Sequence, residues 1–313
     1  MINLDLSGSD LMEIRGGRLI KKLREESGLN QVEFATEINV SPRTLSRIEN
    51  DKSKIDVLMF ISIFEKFGNP TEDFWLLYLD SDEYGIYKNY KVLRRAIRDA
   101  NLEQAKNMIN EIESSGFIEK PFVGQYIDFA KVVASENLTI DEELNELWNI
   151  FYISNKDFNE NRLSKMCLTY IEISIISTIA SKLFKIGEYD RAIKILKDVI
   201  ASRDYSRMTE EDRGLLYPML MFNLSNFLGK RKKYKESLEI CYRAIDIGIE
   251  YNNLRLIPNI WYNVAYNAKN LGEEIHILKT YLFRAYHGAM AIRNFKVANK
   301  IKEDAKKSFN IEL

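Results

Sequence analysis

Apolar residues near the start of the chain recur at helical spacing, broken by short polar stops. Within residues 31–48, QVEFATEINVSPRTLSRI, the fourth, eighth, tenth, fifteenth and eighteenth places are Phe34, Ile38, Val40, Leu45 and Ile48. Ala35 is small enough for two helices to cross closely, and Asn39 stands where the chain must turn. Two short helices that share one apolar seam at about 90–120° need this spacing, which is that of a helix-turn-helix. A preceding helix is predicted from about Gly17 to Ser27, with Leu19, Ile20 and Leu23 inward and Gly28 ending it. Asn30 followed by Glu33 reads as a capping box, and Ser41 caps the next helix with Pro42 at its first position. A fourth helix is expected from about Ile55 to Phe67, with Leu58, Ile61, Ile63 and Phe64 apolar. A fifth starts at Pro70 and Thr71 and carries Phe74, Trp75 and Leu79.

From about Tyr84 the pattern is helix after helix with short breaks, and it repeats itself. FKIGEYDRAIKIL (184–196) matches FLGKRKKYKESLEIC (227–241) once two residues are inserted. Each has Gly, then Tyr, then a small residue three places on: Tyr189 with Ala192, and Tyr234 with Ser237, 45 residues later. Leu102 and Ala105 repeat the pattern further back, and Pro218 with Asn223 is echoed by Pro258 with Asn263 at a step of 40. A period near forty reads as degenerate helix–turn–helix repeats of the tetratricopeptide type, longer than the usual ~34 residues, stacked into a solenoid. A generic helical bundle is the alternative. The predicted fold class is therefore all-α: a five-helix domain over residues 14–80, then an α-solenoid over 84–313.

The first helices of two repeats read MFNLSNF (221–227) and WYNVAYNAK (261–269). Asn263 and Asn267 are four apart and share a face; Asn223 is the repeat equivalent of Asn263, and Asn226 falls opposite Tyr266. Asparagine is a poor helix former and a two-way hydrogen-bonder. A row of it in a concave groove suits clamping an extended peptide backbone, with Tyr262 and Tyr266 gripping side chains. The same residues could instead tie neighbouring repeats together.

Composition adds limits. The 313 residues are 46% hydrophobic and 29% charged, with net charge −1, so any polyanion-binding charge must be local. Arg15, Arg18, Lys21, Lys22, Arg24, Arg43, Arg47, Lys52 and Lys54 supply it near the N-terminus, offset by Glu25, Glu26, Glu33 and Glu37. Cys167 and Cys241 are far apart in apolar helical contexts and read as buried free thiols in a reducing cytoplasm. The first residues lack a secretory pattern, and no apolar run reaches bilayer length. His276 and His287 have no partners at metal-ligand spacing, and no phosphate-loop, dinucleotide or nucleophile-elbow motif occurs. No catalytic residue, metal or cofactor is expected. Lys296, Lys300, Lys302, Lys306 and Lys307 read as the polar cap of the solenoid.

The run LREESGLNQVEFATEINVSPRTLSRIENDKS resembles the Xre or phage-repressor-like family of DNA-binding domains. Leu23 and Arg24, Gln31, Ala35, and Ile48 with Glu49 all stand at the family's spacing. Asn39 departs from the usual glycine, and is the next best residue for a left-handed turn. The resemblance implies that Gln31 holds a phosphate or the first base, that Ser41 and Thr44 touch phosphates, and that Arg43 and Arg47 face base edges in the major groove. It assigns Arg24 and Glu49 to a structural ion pair. Followed by tetratricopeptide-like repeats, this domain resembles the Rgg/PlcR/PrgX group of peptide-pheromone-responsive regulators of Gram-positive bacteria. That resemblance implies a cytoplasmic homodimer on a double-stranded DNA operator, with no membrane partner, controlled by a short signalling peptide in the repeats through the spacing of two reading heads carried on a linker near 80–87. A constitutive repressor whose repeats only dimerise, or a scaffold that sequesters a regulatory partner, are the alternatives.

Overall fold

Among the described residues, the segments between the predicted stops fold as helices. In the computed structural model, residues 16–50, 52–53, 63, 66–67, 81–114, 121–202 and 208–313 are described. The chain divides into two compact units, residues 1–99 with 110–115, and residues 100–109 with 116–313.

In the first unit, α1 (Gly16–Glu26), α2 (Gln31–Glu37) and α3 (Pro42–Glu49) surround one small core. Ile20, Leu23, Phe34, Ala35, Leu45, Ile48 and Ile63 are buried there, with Leu29, Ile38, Val40 and Phe67 packed against them. Phe34 stacks on Phe67 at 4.7 Å between ring centres. The helix limits follow from local chemistry. Gly28 takes φ +69 and Asn39 takes φ +56, the left-handed conformations that stop α1 and α2. The Asn30 side chain accepts from the backbone N–H of Glu33, and the Glu33 carboxylate accepts from the N–H of Asn30. Ser41 caps α3 ahead of Pro42. Of the fourth and fifth helices expected here, only Ile63, Lys66 and Phe67 fall within the described residues, as does no part of Pro70–Leu79. The side chains of Arg18 and Leu19, and the whole of Arg15 and Lys54, lie outside them too.

Residues 81–87, expected as linker, are helical. They open α4 (Ser81–Arg98), whose later turns bury Leu93 and Ala96. A single Gly85 costs about 1 kcal/mol in a helix interior, which eighteen residues with a buried face absorb.

The rest of the chain is a stack of helices: α5 (Leu102–Ser114), α6 (Pro121–Ala134), α7 (Ile140–Ser154), a 3-10 turn (Glu160–Lys165), α8 (Tyr170–Lys185), α9 (Tyr189–Ala201), α10 (Glu210–Lys230), α11 (Tyr234–Glu250), α12 (Ile257–Asn270), α13 (Ile275–Ala291) and α14 (Phe295–Asp304), continued by a π turn (Ala305–Phe309). From α6 on, each helix packs on the next, and α6, α8, α10, α12 and α14 also pack each on the next of their own row. This is the two-row arrangement of a helical-repeat solenoid. The sequence repeat has a packing cause. Tyr189 and Tyr234 are both the first residue of their helix. The small residues Ala105, Ala192 and Ser237 are all fully buried, where a larger side chain would hold the neighbouring helix off.

Two expectations change. Cys167 is exposed, because it lies in the extended stretch between the 3-10 turn and α8 and not inside a helix; Cys241 is buried in α11. The proline echo is also not an equivalent pair of helix starts. Pro258 sits in the first turn of α12, where its missing N–H costs nothing, whereas Pro218 lies inside α10, which begins earlier at Glu210.

Candidate DNA interface and repeat groove

The second helix of the motif presents a short polar face. Arg43 and Arg47, four apart on α3, are both exposed. Arg43 has no partner among the described residues, and Arg47 makes one marginal contact, Nη2 to the Lys52 carbonyl at 3.5 Å. Both guanidiniums thus keep their forked donors available. At the start of α3 the Ser41 Oγ accepts from the Thr44 N–H at 3.0 Å and lies 2.8 Å from the Thr44 Oγ1. One hydroxyl hydrogen is used in that contact, so the pair keeps one to offer outward, as a phosphate contact requires.

Gln31 belongs to a different arrangement. Its Nε2 donates to Glu49 Oε2 at 2.8 Å, and Arg24 donates to the same carboxylate through Nε at 2.6 Å and Nη2 at 3.2 Å. Arg24 also reaches the Leu29 carbonyl. The hydrogen bond and charge of Glu49 hold the Arg24 guanidinium above its ordinary pKa. Gln31 therefore links the start of α2 to the end of α3, and has one amide hydrogen and its carbonyl left for an outside group.

In the repeats, the asparagines meet across helices. Asn263 Nδ2 donates to Ser225 Oγ at 2.9 Å and to Asn226 Oδ1 at 2.7 Å, joining α12 to α10. Ser237 Oγ donates to the Ser225 carbonyl at 2.7 Å, which brings α11 into the same seam. Asn267 Nδ2 donates to the Asn263 carbonyl, while its Oδ1 is buried with no partner. At 1% exposure, Asn267 is beyond a ligand's reach in this conformation, and Asn263 at 8% is nearly so. Asn223 is half-buried on α10 and makes no hydrogen bond to another described residue. Tyr266 is exposed and meets Tyr234 edge-on at 6.4 Å. Tyr262 packs edge-on against Phe309 at 6.1 Å; burial, then the Asp304 carboxylate, push its hydroxyl up to about 12. The structure thus brings Asn226, Asn263 and Asn267 together, and directs Tyr262 to the C-terminal helices.

Sequence reasoning read Ser237 only as a small repeat residue and gave Ser225 no role, so it missed the hydrogen bonds they make in this seam. Their signal was present: both are small polar residues at repeat positions that face a neighbouring helix. An open pocket of about 560 Å³ lies elsewhere, lined by Trp148, Tyr152, Phe158, Asn159 and Arg191 among others. Arg191 already covers the Trp148 ring at 5.7 Å and pairs with Glu160 and Glu188.

Residues 20–74 match a helix-turn-helix family, and residues 132–309 match the RNPP family C-terminal domain. Among curated proteins, sequence comparison finds no match. Solved structures match over nearly the whole chain. PlcR of Bacillus thuringiensis, in complex with the peptide PapR7 and DNA, is 18% identical with a TM-score of 0.73, covering 92% of this chain and 99% of that one. ComR from S. thermophilus, in complex with DNA and its signalling peptide ComS, is 14% identical with a TM-score of 0.62, covering 92% and 97%. The SHP pheromone receptor Rgg2 of Streptococcus dysgalactiae is 14% identical with a TM-score of 0.61, covering 94% and 99%. At these identities the likeness is one of fold. The match to the C-terminal domain spans more than half of the sequence, and the chain belongs to the RNPP family.

Proposed function

We propose that this chain is a cytoplasmic, homodimeric transcription regulator that reads a DNA operator and answers to a short signalling peptide. Residues 14–80 form the reading head and residues 84–313 the sensing and dimerising part; no reaction is assigned to either. The observation that carries the reading is the exposed Ser41, Arg43, Thr44 and Arg47 face on α3, in one chain with an RNPP C-terminal domain. Support comes from the similarly folded PlcR and ComR, each solved with DNA and a peptide.

Arg43 and Arg47 would enter the major groove, where arginine reads guanine through paired hydrogen bonds. Ser41, Thr44 and Gln31 would hold phosphates and fix the register. Two heads in a symmetric dimer read half-sites about 34 Å apart, or a multiple of that. A peptide bound in the repeats acts by favouring one dimer arrangement, and shifts the equilibrium only by its difference in affinity for the two. Asn223 and Tyr266 have the free groups to meet it, with Asn226, Asn263, Asn267 and Tyr262 behind them.

The test is selection of bound duplexes from a random pool, followed by titration of short apolar peptides against the selected site. A palindromic site whose affinity changes with peptide supports the proposal; no enriched site sinks it. One observation favours a second reading, in which the repeats only dimerise: Asn226, Asn263 and Asn267 are already bonded within the repeats. An enriched site that no peptide affects would establish that reading instead.

A further inference from the structure

The turns after α8, α10 and α12 are built alike but not from like residues. In each, one residue takes positive φ and donates to the carbonyl three back, and the next donates to the carbonyl five back. The pairs are Gly187 to Phe184 with Glu188 to Leu183, Lys232 to Gly229 with Lys233 to Leu228, and Gly272 to Lys269 with Glu273 to Ala268. The φ values are +95 at Gly187, +61 at Lys232 and +85 at Gly272. Glycine is the residue this position favours. The turns after α8 and α12 use it; the turn after α10 uses lysine, as the turn after α13 uses Arg293 at φ +57 with the same two bonds.

The contrast continues into the next helix. α9 opens with Glu188 as its cap and Asp190 in its first turn, acids where the helix dipole favours them. α11 opens with Lys233 at its cap and Lys235 beside Glu236 in its first turn; like Glu188, Lys233 makes no side-chain cap bond, and both lysines stand at the end the dipole disfavours for cations. Glu236 is itself paired with Lys197, and no other acidic residue lies between it and Asp212. Lys230, Arg231, Lys232, Lys233 and Lys235 are all exposed, and none has an ion-pair partner among the described residues. Cations at the end of α10 suit its dipole, which accounts for Lys230 and Arg231 but not for the other three. Five exposed cations in six residues, with no ion-pair partner among the described residues, leave this turn open to an outside anionic group.

The surroundings define that partner. The Arg231 guanidinium lies 4.7 Å from the Tyr189 ring centre, and the Lys230 ammonium 5.7 Å from that of Phe184. Ile186 (43% exposed) and Tyr189 (36%), on the segment whose rings these two cations cover, present apolar surface. A phosphate backbone has no use for an exposed isoleucine. A protein segment carrying acids beside apolar side chains uses both features.

We propose that the turn 230–235, with Ile186 and Tyr189, is a docking site for an acidic, apolar segment of a partner protein. The site does not depend on the signalling-peptide reading. The test uses the full-length chain and three labelled probes: a short peptide of alternating glutamate and leucine, its glutamine–leucine counterpart, and a random-sequence duplex. Binding is read by fluorescence anisotropy in the wild type and in a Lys232→Gly/Lys233→Glu/Lys235→Asp variant, which copies the turn of residues 187–190. The variant is expected to keep or raise the thermal midpoint and to bind the acidic peptide about tenfold more weakly or worse. The glutamine counterpart should bind neither form well, and added salt should weaken the wild-type complex. Equal binding of the acidic peptide by both proteins, or by neither, overturns the proposal. A variant that loses duplex affinity but not acidic-peptide affinity assigns the turn to nucleic acid, and one with a lowered thermal midpoint assigns the lysines to the fold.

Discussion

Arg24 closes on Glu49 at 2.6 Å across the helix-turn-helix, and the side chains are 12% and 1% exposed. Breaking a buried pair leaves one charge uncompensated and costs about 3–5 kcal/mol. The two halves are not equivalent. Glu49→Ala leaves a guanidinium that still donates to the Leu29 carbonyl and reaches some water. Arg24→Ala leaves a carboxylate in the core with Gln31 as its remaining hydrogen-bond donor. Arg24→Ala should therefore be the more destabilising change in denaturant unfolding of the chain. The reverse order would mean that the carboxylate is better solvated than its burial indicates.

On α3 the two arginines and the two hydroxyls should separate by their readout. Arg47→Ala is expected to cost ~1–3 kcal/mol of specific binding and to relax one base position. Arg43→Ala should do the same at a neighbouring position. Thr44→Val removes a hydroxyl while keeping the side-chain shape and leaves the Ser41 cap on the Thr44 N–H. It should weaken all duplexes alike and lower the salt dependence of binding. An unchanged site preference in the Arg47 variant would remove it from base reading.

What was legible in the sequence was what local chemistry decides. Asn30, Ser41, Gly28 and Asn39 set helix limits through bonds within a few residues, and the order of those residues alone places them. Ala192 and Ser237 carried the repeat because a small residue is needed wherever helices pack closely. What the sequence did not resolve depends on distant partners. Asn263 pairs with Ser225, 38 residues away, and nothing in the asparagine spacing says whether its donors face a groove or a neighbouring helix. Cys167 was misread for a related reason. Its neighbours Met166 and Leu168 are apolar, but the stretch is extended between two helices, so the thiol faces outward while Leu168 is buried.

The two thiols should react very differently. Burial pushes the Cys241 thiol up to about 11, only partly offset by hydrogen bonds from Ser225 and Ser237. The thiolate is the reacting form, and at neutral pH Cys241 has almost none of it and little access. Iodoacetamide should modify Cys167 in the native protein and reach Cys241 only on unfolding, as followed by mass spectrometry of peptides. Early modification of Cys241 would mean that α10, α11 and α12 open locally.

Asn223 and Asn263 occupy equivalent repeat positions and should give opposite phenotypes. Asn263 spends its amide on Ser225 and Asn226, so Asn263→Ala strips donors from two polar groups between α10 and α12. Leaving such groups unsatisfied costs about 1–3 kcal/mol, and the loss should appear in thermal unfolding with or without ligand. Asn223 bonds to no described residue and is half-buried, so Asn223→Ala should leave stability nearly unchanged. Any loss of peptide response in the Asn223 variant then reports on contact with the ligand, free of a folding effect. If Asn223→Ala destabilises the chain as much as Asn263→Ala, both asparagines tie repeats together. If Asn223→Ala changes neither stability nor peptide affinity, the groove is read by other residues, and Tyr266 is the next to test.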